Sequence, residues 1–188
     1  LNSASNTTLG TDTTNTVTLN KATLTVTGTV SPSKTYDGTT SATITGGTLN
    51  GVQGSDVVTL TQSGVYSSAA AGSGISITMS NSVSGTNVST NYQLTQPVVT
   101  GSISRAALGV SAEATYASST SVTPSSATLT GLVAADSAAT VTNLVLSNAN
   151  VGSGLYATGL TLSNGAQANY VLNSASNTTL GTDTTNTV

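Results

Sequence analysis

The sequence predicts an all-β protein made of two tandem modules, each a small antiparallel β-sandwich of the immunoglobulin-like type. Three observations lead to this prediction. Strand-favouring and turn-favouring residues dominate the composition, apolar residues recur at every second position in several segments, and the chain repeats itself at two length scales. Thr, Val and Ile favour strands, whereas Ser, Asn and Gly favour turns. A β-grasp-like module is the alternative, and it would place a helix at residues 67–72.

The longer repetition is identical letter for letter. Residues 1–17 and residues 172–188 both read LNSASNTTLGTDTTNTV, so a unit of 171 residues (172 minus 1) returns to its own beginning. Self-similarity at a fixed period is the signature of repeat architectures. We therefore expect this chain to be cut from a longer array.

A second, weaker repetition lies inside this unit, where five segments recur 78 to 84 positions later. The pairs are KATLTV at 21–26 with RAALGV at 105–110, TYDGTT at 35–40 with TYASST at 115–120, TLNGVQGSD at 48–56 with TLTGLVAAD at 128–136, AGSGI at 71–75 with VGSGL at 151–155, and NYQL at 91–94 with NYVL at 169–172. The unit therefore holds two diverged copies of one module.

These repeats divide the chain into four parts. Residues 1–17 are expected to be the tail of the preceding repeat, 18–103 the first module, 104–173 the second module and 174–188 the linker into the next repeat. The central joint has almost no spacer and contains Pro97, so it should be stiff. The longer linker should bend more, unless its Thr-rich stretch pairs as a strand. Residues 1–17 should be disordered, or pair with a neighbouring chain at an exposed sheet edge.

Alternation of apolar and polar residues marks the individual strands. Each of the segments ATLTVTGTV, GISITMS and ALGVSAEATY places its apolar residues on one face, which is typical of antiparallel sheets with one solvated face. The predicted apolar faces are Leu24, Val26 and Val30; Ile75, Ile77 and Met79; and Leu108, Val110, Ala112, Ala114 and Tyr116. Three Asx-Gly pairs are predicted type I′ hairpin turns, at residues 37–38, 50–51 and 164–165.

The composition excludes several classes of function. There is no Cys or His, so the modules carry neither disulfides nor Cys/His zinc sites. Three cations and a net charge of −3 cannot track a phosphate backbone, which argues against nucleic-acid binding. No apolar run approaches the length of a membrane span, so no membrane insertion is expected.

Catalytic and metal sites are not expected either. Without His or Cys, a general base would have to be Asp, Glu, Lys or Tyr, and the six acids are scattered along the chain. Calcium sites need clustered oxygen ligands, and residues 10–16 (GTDTTNT) offer a single acid. We interpret that segment as a polar linker, and we expect no catalytic residue, no cofactor and no metal.

The repeated polar residues are expected to serve the fold. Asp56 and Asp136 occupy equivalent positions in the two modules, which favours a shared structural role such as capping a turn. Four tyrosines form two equivalent pairs and are predicted to be core aromatics: Tyr36, Tyr92, Tyr116 and Tyr170. Two tyrosines without such counterparts are the candidates for exposed contact: Tyr66 and Tyr156.

The order of motifs in the first module resembles a known family. Lys34 and TYDGTT are followed by T-L-x-G-V-x-G-x-D, AGSG and N-Y-x-L, and this order is similar to that of the YDG/MBG-type repeat modules of giant bacterial adhesins. Those adhesins are relatives of filamentous haemagglutinin, often exported by two-partner secretion. The second module keeps the spacing but has Ala117 and Ser118 where the first has Asp37 and Gly38.

The resemblance implies a stalk module and not an enzyme. It would be secreted to the bacterial cell surface and would support attachment to cells, surfaces or a biofilm matrix. Its partners would be neighbouring repeats of the same polypeptide, and neighbouring chains through strand addition or bundling. A polysaccharide-binding module of the same surface protein is the alternative. The predicted structural motif is Tyr36, Asp37, Gly38, Asp56, Tyr92, Tyr116, Asp136 and Tyr170.

Overall fold

The computed structural model describes residues 17–152 and 155–173. Residues 1–16 of the expected tail at 1–17, the linker at 174–188 and the calcium candidate at 10–16 therefore lie outside the described residues. The described part contains fifteen strands. They are β1 (Ala22–Thr27), β2 (Ser33–Thr35), β3 (Thr48–Asn50), β4 (Thr59–Thr61), β5 (Gly64–Tyr66), β6 (Gly72–Met79), β7 (Ser82–Ser84), β8 (Tyr92–Thr95), β9 (Val99–Ser104), β10 (Ala106–Glu113), β11 (Ser121–Val122), β12 (Ser126–Thr130), β13 (Val141–Leu146), β14 (Ala157–Leu162) and β15 (Tyr170–Leu172).

Helical structure is limited to short pieces. One α-helical turn, α1, covers Val88–Asn91, and two 3-10 turns cover Ala134–Asp136 and Ala166–Asn169. The described chain has no helix at residues 67–72, where the β-grasp alternative would need one, and β6 begins at Gly72. The predicted all-β class is confirmed.

The first module contains three sheets. In one, β1 lies between antiparallel β3 and parallel β8. In another, β9 lies between parallel β2 and antiparallel β6, and β5 forms the edge beyond β6. A ribbon of β4 and β7 completes the module. The strand β9 is therefore central to its sheet, with a partner on each side.

The second module repeats part of this arrangement. Strand β10 lies between antiparallel β12 and parallel β15, as β1 lies between β3 and β8. Strand β13 lies between antiparallel β11 and β14. The bridge between Ser41 and Val65 in the first module matches the pairing of Ser121 with Val145, 80 positions later in both strands. The sequence repetition thus corresponds to a structural repetition.

The sheets differ from the predicted antiparallel pattern in three pairings, because β1 with β8, β2 with β9, and β10 with β15 run parallel. Parallel pairing needs a long connection, and each of these pairs is separated by most of a module. Alternation along the sequence predicts which face is apolar, but it does not predict which strands become neighbours.

The predicted apolar faces are confirmed where the strands extend and are wrong beyond their ends. Leu24 is 0% exposed and Leu108 is 1% exposed. Val30 is 56% exposed, because β1 ends at Thr27 and Gly28, with φ of +74°, turns the chain. The prediction of type I′ turns is also wrong: in each of the three Asx-Gly pairs only the glycine has positive φ.

The buried residues form three clusters, and the largest spans both modules. Its members are Tyr36, Tyr66, Ile77, Met79, Val99 and Ile103 from the first module and Ala106, Leu108, Ala139, Leu162 and Tyr170 from the second. Leu24, Val88 and Tyr92 form a separate cluster at β1, and a third cluster lies around Leu144 in the second module. Arg105 alone separates β9 from β10, and both strands contribute residues to the largest cluster, so the two modules share one core at their joint.

Candidate functional site at the junction between the modules

Asp136 is the polar centre of the junction. It ends the 3-10 turn Ala134–Asp136 and is only 7% exposed. Its Oδ2 accepts hydrogen bonds from the hydroxyls of Tyr36, at 3.0 Å, and Tyr170, at 2.7 Å. Its Oδ1 accepts one from Asn164 Nδ2, at 2.8 Å. Since Tyr36 belongs to the first module, this buried carboxylate joins the two modules.

The two tyrosines also pack against each other. The rings of Tyr36 and Tyr170 meet edge to face, with centroids 5.5 Å apart and planes at 83°. The backbone N–H of Val133 donates to the Tyr170 hydroxyl at 3.1 Å. Burial and the hydrogen bond to Asp136 raise the pKa of Tyr170 to about 12, and the same two causes raise the pKa of Tyr36. Both hydroxyls therefore stay protonated, and remain donors, at neutral pH.

Asp37 organises the turn that carries Tyr36. Its Oδ1 accepts hydrogen bonds from Lys34 Nζ, from the Thr39 backbone N–H and from Thr39 Oγ1, each at 2.8 Å. The bond from Lys34 and those from Thr39 lower the pKa of Asp37 to about 2. Lys34 Nζ also donates to the Thr39 carbonyl at 2.7 Å and lies 5.6 Å from the centroid of the Tyr66 ring. These contacts fix the loop beside Tyr36.

Gly38 lets the second module approach this loop. Its φ is +77°, a backbone conformation that glycine adopts at little cost. A Cβ at this position would lie 2.6 Å from the Cβ of Ala135, in the 3-10 turn of the second module. A further bond crosses the junction nearby, from the Ala71 N–H to Asn169 Oδ1 at 2.9 Å. Tyr36, Asp37 and Gly38 therefore all serve one contact surface.

The first module holds a simpler counterpart of the Asp136 network. The Tyr92 hydroxyl donates to Asp56 Oδ2 at 2.6 Å and accepts from the Gln53 N–H at 2.9 Å. The bond to Asp56 is the main cause that raises the pKa of Tyr92. Asp56 is exposed, whereas Asp136 is buried by the preceding module. Each module thus carries an equivalent Asp–Tyr pair, and the tyrosine begins the strand that lies parallel to the first strand of the module.

The structure contradicts the sequence prediction for two tyrosines. Tyr116 is predicted in the core but is 59% exposed, because no described strand lies beside it as β9 lies beside Tyr36. Its hydroxyl accepts a hydrogen bond from Ser118 Oγ at 3.1 Å. Tyr66 was expected at the surface but is 2% exposed, and its hydroxyl donates to the carbonyls of Pro32 and Ser102. Tyr156 is half-buried. Strand β9, which supplies Ser102, is what covers Tyr66.

Sequence reasoning missed the two asparagines of the junction, Asn164 and Asn169. Asn169 had a detectable signal, since it recurs with Asn91 in the N-Y-x-L motif. Asn164 gives no such signal, because an Asn-Gly pair is typical of a turn.

Among the described residues, no group of three or more acidic, His or Cys side chains is placed to hold a metal ion. None of the helices in the described part is long and apolar enough to cross a membrane.

Comparison with known proteins finds a family similarity in the first module. No curated protein and no solved structure matches the chain. The family model of the YDG domain matches residues 20–100, which include Tyr36, Asp37 and Gly38 and all of the strands from β1 to β8. Residues 20–100 of this chain are therefore similar to a YDG domain.

Proposed function

We propose that this chain is a structural repeat unit of an extracellular adhesin stalk or fibre, and that it has no catalytic role. The observation that carries the proposal is the junction, where Tyr36 of one module and Asp136 of the next meet inside a shared core. A buried junction of this kind suits modules that hold a fixed relative position. The YDG match and the repetition of the sequence support the same function.

The path of the chain suits a load-bearing role. Strand β9, paired on both sides, continues through Arg105 into β10, which is also paired on both sides. Tension along this path would act on two central strands at once, so no edge strand peels away first. With 5% charged residues, the assembly should depend little on salt.

The proposed setting is the bacterial cell surface, reached by secretion. The stalk would support attachment to cells, surfaces or a biofilm matrix, with neighbouring repeats of the same polypeptide as its main partners. Neither nucleic acid nor a membrane belongs to this proposal, since the chain offers only three cations and no apolar run of membrane length.

Small-angle X-ray scattering on a protein of two consecutive repeats tests the proposal. A module of short strands is roughly 30–40 Å long, so each repeat should advance a rod by roughly 60–80 Å. A rod of two repeats has a radius of gyration of about 40 Å, against about 20 Å for a compact globule of the same length. A value near that of the globule would refute the stalk.

A glycan array separates this proposal from the polysaccharide-binding alternative. The stalk predicts no saturable binding by the 188-residue chain. Dose-dependent capture of one class of polysaccharide would favour the binding module instead.

A further inference from the structure

The second module has an open apolar cleft, which we call the acceptor cleft. Its volume is about 150 Å³, and its lining includes Ala114, Tyr116, Val122, Leu146, Val151 and Leu155. Tyr116 and Val151 are among the exposed large hydrophobic residues of the chain, at 59% and 83%. The cleft therefore leaves apolar surface open to solvent.

In the first module, β9 fills the corresponding place. It lies between β2 and β6, with Ile103 beside Lys34 and Gly101 beside Ile75. Equivalent residues in the β2 and β6 segments of the two modules lie 80 positions apart, so Lys34 corresponds to Ala114 and Ile75 to Leu155. Ala114 and Leu155 both line the acceptor cleft. Within the described residues of the second module, β14 pairs with β13 and with no strand on its other side. The acceptor cleft is thus the position of β9 in a module whose described part lacks that strand.

A strand that fits this position occurs elsewhere in the chain, at residues 17–20, which we call the donor segment. The donor segment stands immediately before Lys21 and Ala22. Residues 101–104, the last part of β9, stand immediately before Arg105 and Ala106, so the donor segment corresponds in position to the end of β9. Val17 and Leu19 take the places of Gly101 and Ile103, both of which are buried in β9. In this structure Val17 is 90% exposed and Leu19 is 96% exposed. Within the described residues, the donor segment therefore pairs with no strand, and no strand occupies the position of β9 in the second module.

One group that excludes a side chain at Gly101 in the first module is absent from the second module. In the first module a Cβ at Gly101 would lie 2.8 Å from the Tyr66 ring and 2.5 Å from the Pro32 carbonyl. Leu146 stands in the second module where Tyr66 stands in the first, and it lacks the ring that excludes a side chain there. The counterpart of Pro32 is Ala112, which is held inside β10 opposite Ala127. The second module therefore lacks the Tyr66 ring, which is one of the two groups that a side chain at Gly101 would meet.

We propose that the donor segment of a second copy of this chain adds to the acceptor cleft, parallel to residues 113–115, with Val17 opposite Leu155 and Leu19 opposite Gly152 on its antiparallel side. Between consecutive repeats of an array, the same exchange would join the second module of one repeat to the first module of the next. In that setting the inference deepens the proposed function and rests on it. One chain does not fill its own cleft with this segment, because residues 17–20 lie one residue from β1, whose core cluster is separated from the cleft's cluster by the shared junction core.

Two polar contacts of the existing junction have counterparts ready in this arrangement. The Tyr36–Asp136 bond would recur as Tyr116 donating to Asp56 of the second copy, which already accepts from Tyr92 as Asp136 accepts from Tyr170. The bond from Ala71 to Asn169 would recur as Val151 N–H donating to Asn91 of the second copy. The new junction would repeat the old one in backbone pairing and in polar contacts.

Disulfide cross-linking tests the pairing, since the chain has no native Cys. The pair Gly101 and Ile75 corresponds to Val17 and Leu155. A Val17→Cys chain is mixed under oxidation with a Leu155→Cys chain, and in parallel with a Val98→Cys chain whose changed position is 99% exposed. Docking raises the local concentration of the matched thiols, so the mixed dimer with Leu155→Cys should form at least roughly tenfold faster. Equal rates for the two mixtures would overturn the proposal.

Sedimentation of chains without engineered Cys gives a second measurement. The unsubstituted chain should associate as its concentration rises, and Leu19→Asp should weaken the association by roughly tenfold or more, because it would bury an unpaired charge. Leu19 is nearly fully exposed, so the thermal unfolding of the dilute variant should be unchanged, which separates lost docking from lost folding. A chain that stays monomeric at every concentration would overturn the proposal. If removal of residues 174–188 were what induced dimers, the chain's own tail would be the occupant, and the proposal would be wrong.

The two proposals fail in different ways. An extended two-repeat protein with no selective cross-link would remove the strand exchange and leave the stalk. Selective cross-linking of a two-repeat protein that scatters as a compact globule would support the strand exchange and refute the stalk.

Discussion

The Asp136→Ala substitution tests whether the buried carboxylate holds the two modules together. It removes the acceptor of three hydrogen bonds, from Tyr36, Tyr170 and Asn164. The site is 7% exposed, so water cannot freely replace the carboxylate. A buried donor left without a partner costs about 1–3 kcal/mol.

The three losses are not additive, because the two hydroxyls share one oxygen and can rotate after the change. We expect the free energy of unfolding to fall by about 3–4 kcal/mol, in the upper range for one substitution. For a chain of this size, that corresponds to a fall in Tm of roughly 6–16 °C. Urea unfolding followed by circular dichroism measures the free energy, and calorimetry measures the Tm.

Asp56→Ala is the matched control. It removes the equivalent carboxylate from an exposed position, where a single tyrosine, Tyr92, donates to it. Water can replace that bond, so Asp56→Ala should lower the free energy of unfolding by less than half as much as Asp136→Ala. The Tyr36→Phe variant then isolates the bond between modules, and its effect should largely vanish in the Asp136→Ala background. Equal costs for the two Asp substitutions, or full additivity with Tyr36→Phe, would refute the central role of Asp136.

Two further predictions concern the same junction. Gly38→Ala should destabilise the chain more than Gly165→Ala: both glycines have φ near +75°, but only Gly38 would place its Cβ against the second module, and equal changes in Tm would contradict this reasoning. Tyr170, whose pKa is raised to about 12 by burial and by its bond to Asp136, contributes stability that is complete below the ordinary pKa of 10.0 and is lost as the pH rises towards 12. Urea midpoints between pH 9 and pH 12 should therefore fall more steeply for the native chain than for Tyr170→Phe, and parallel curves would count against it.

The sequence predicted the class of fold and most of the strand faces because both follow from local alternation. Leu24, Ile77 and Leu108 are buried as their period-two patterns require. The turn types were not predictable in the same way. Asp37 uses its carboxylate to bind Lys34 and Thr39, so its side chain sets the loop and its own φ stays negative.

The junction could be predicted only in part. The equivalence of Asp56 and Asp136 in the sequence indicated a shared role, and the structure pairs each with a tyrosine of the N-Y-x-L motif, Tyr92 or Tyr170. That Tyr36 also reaches Asp136 could not be inferred, because the residues are 100 positions apart and belong to different modules. The repetition of the sequence marks these residues but does not predict which of them meet.

The predictions for Tyr66 and Tyr116 are wrong for one physical reason, which is the presence of β9 in the first module alone among the described residues. Internal symmetry of the sequence predicted equal environments for Tyr36 and Tyr116, yet one is 7% exposed and the other 59%. The difference follows from β9, whose Ser104 carbonyl accepts a hydrogen bond from the Tyr36 N–H at 2.8 Å. Beside Tyr116 the described second module has no such strand. If the donor segment supplies it, Asn20 takes the place of Ser104 and Tyr116 becomes as enclosed as Tyr36. Equivalent residues of the two modules then have equivalent surroundings only when copies are joined. In one chain alone, only the first module has the strand that encloses this tyrosine.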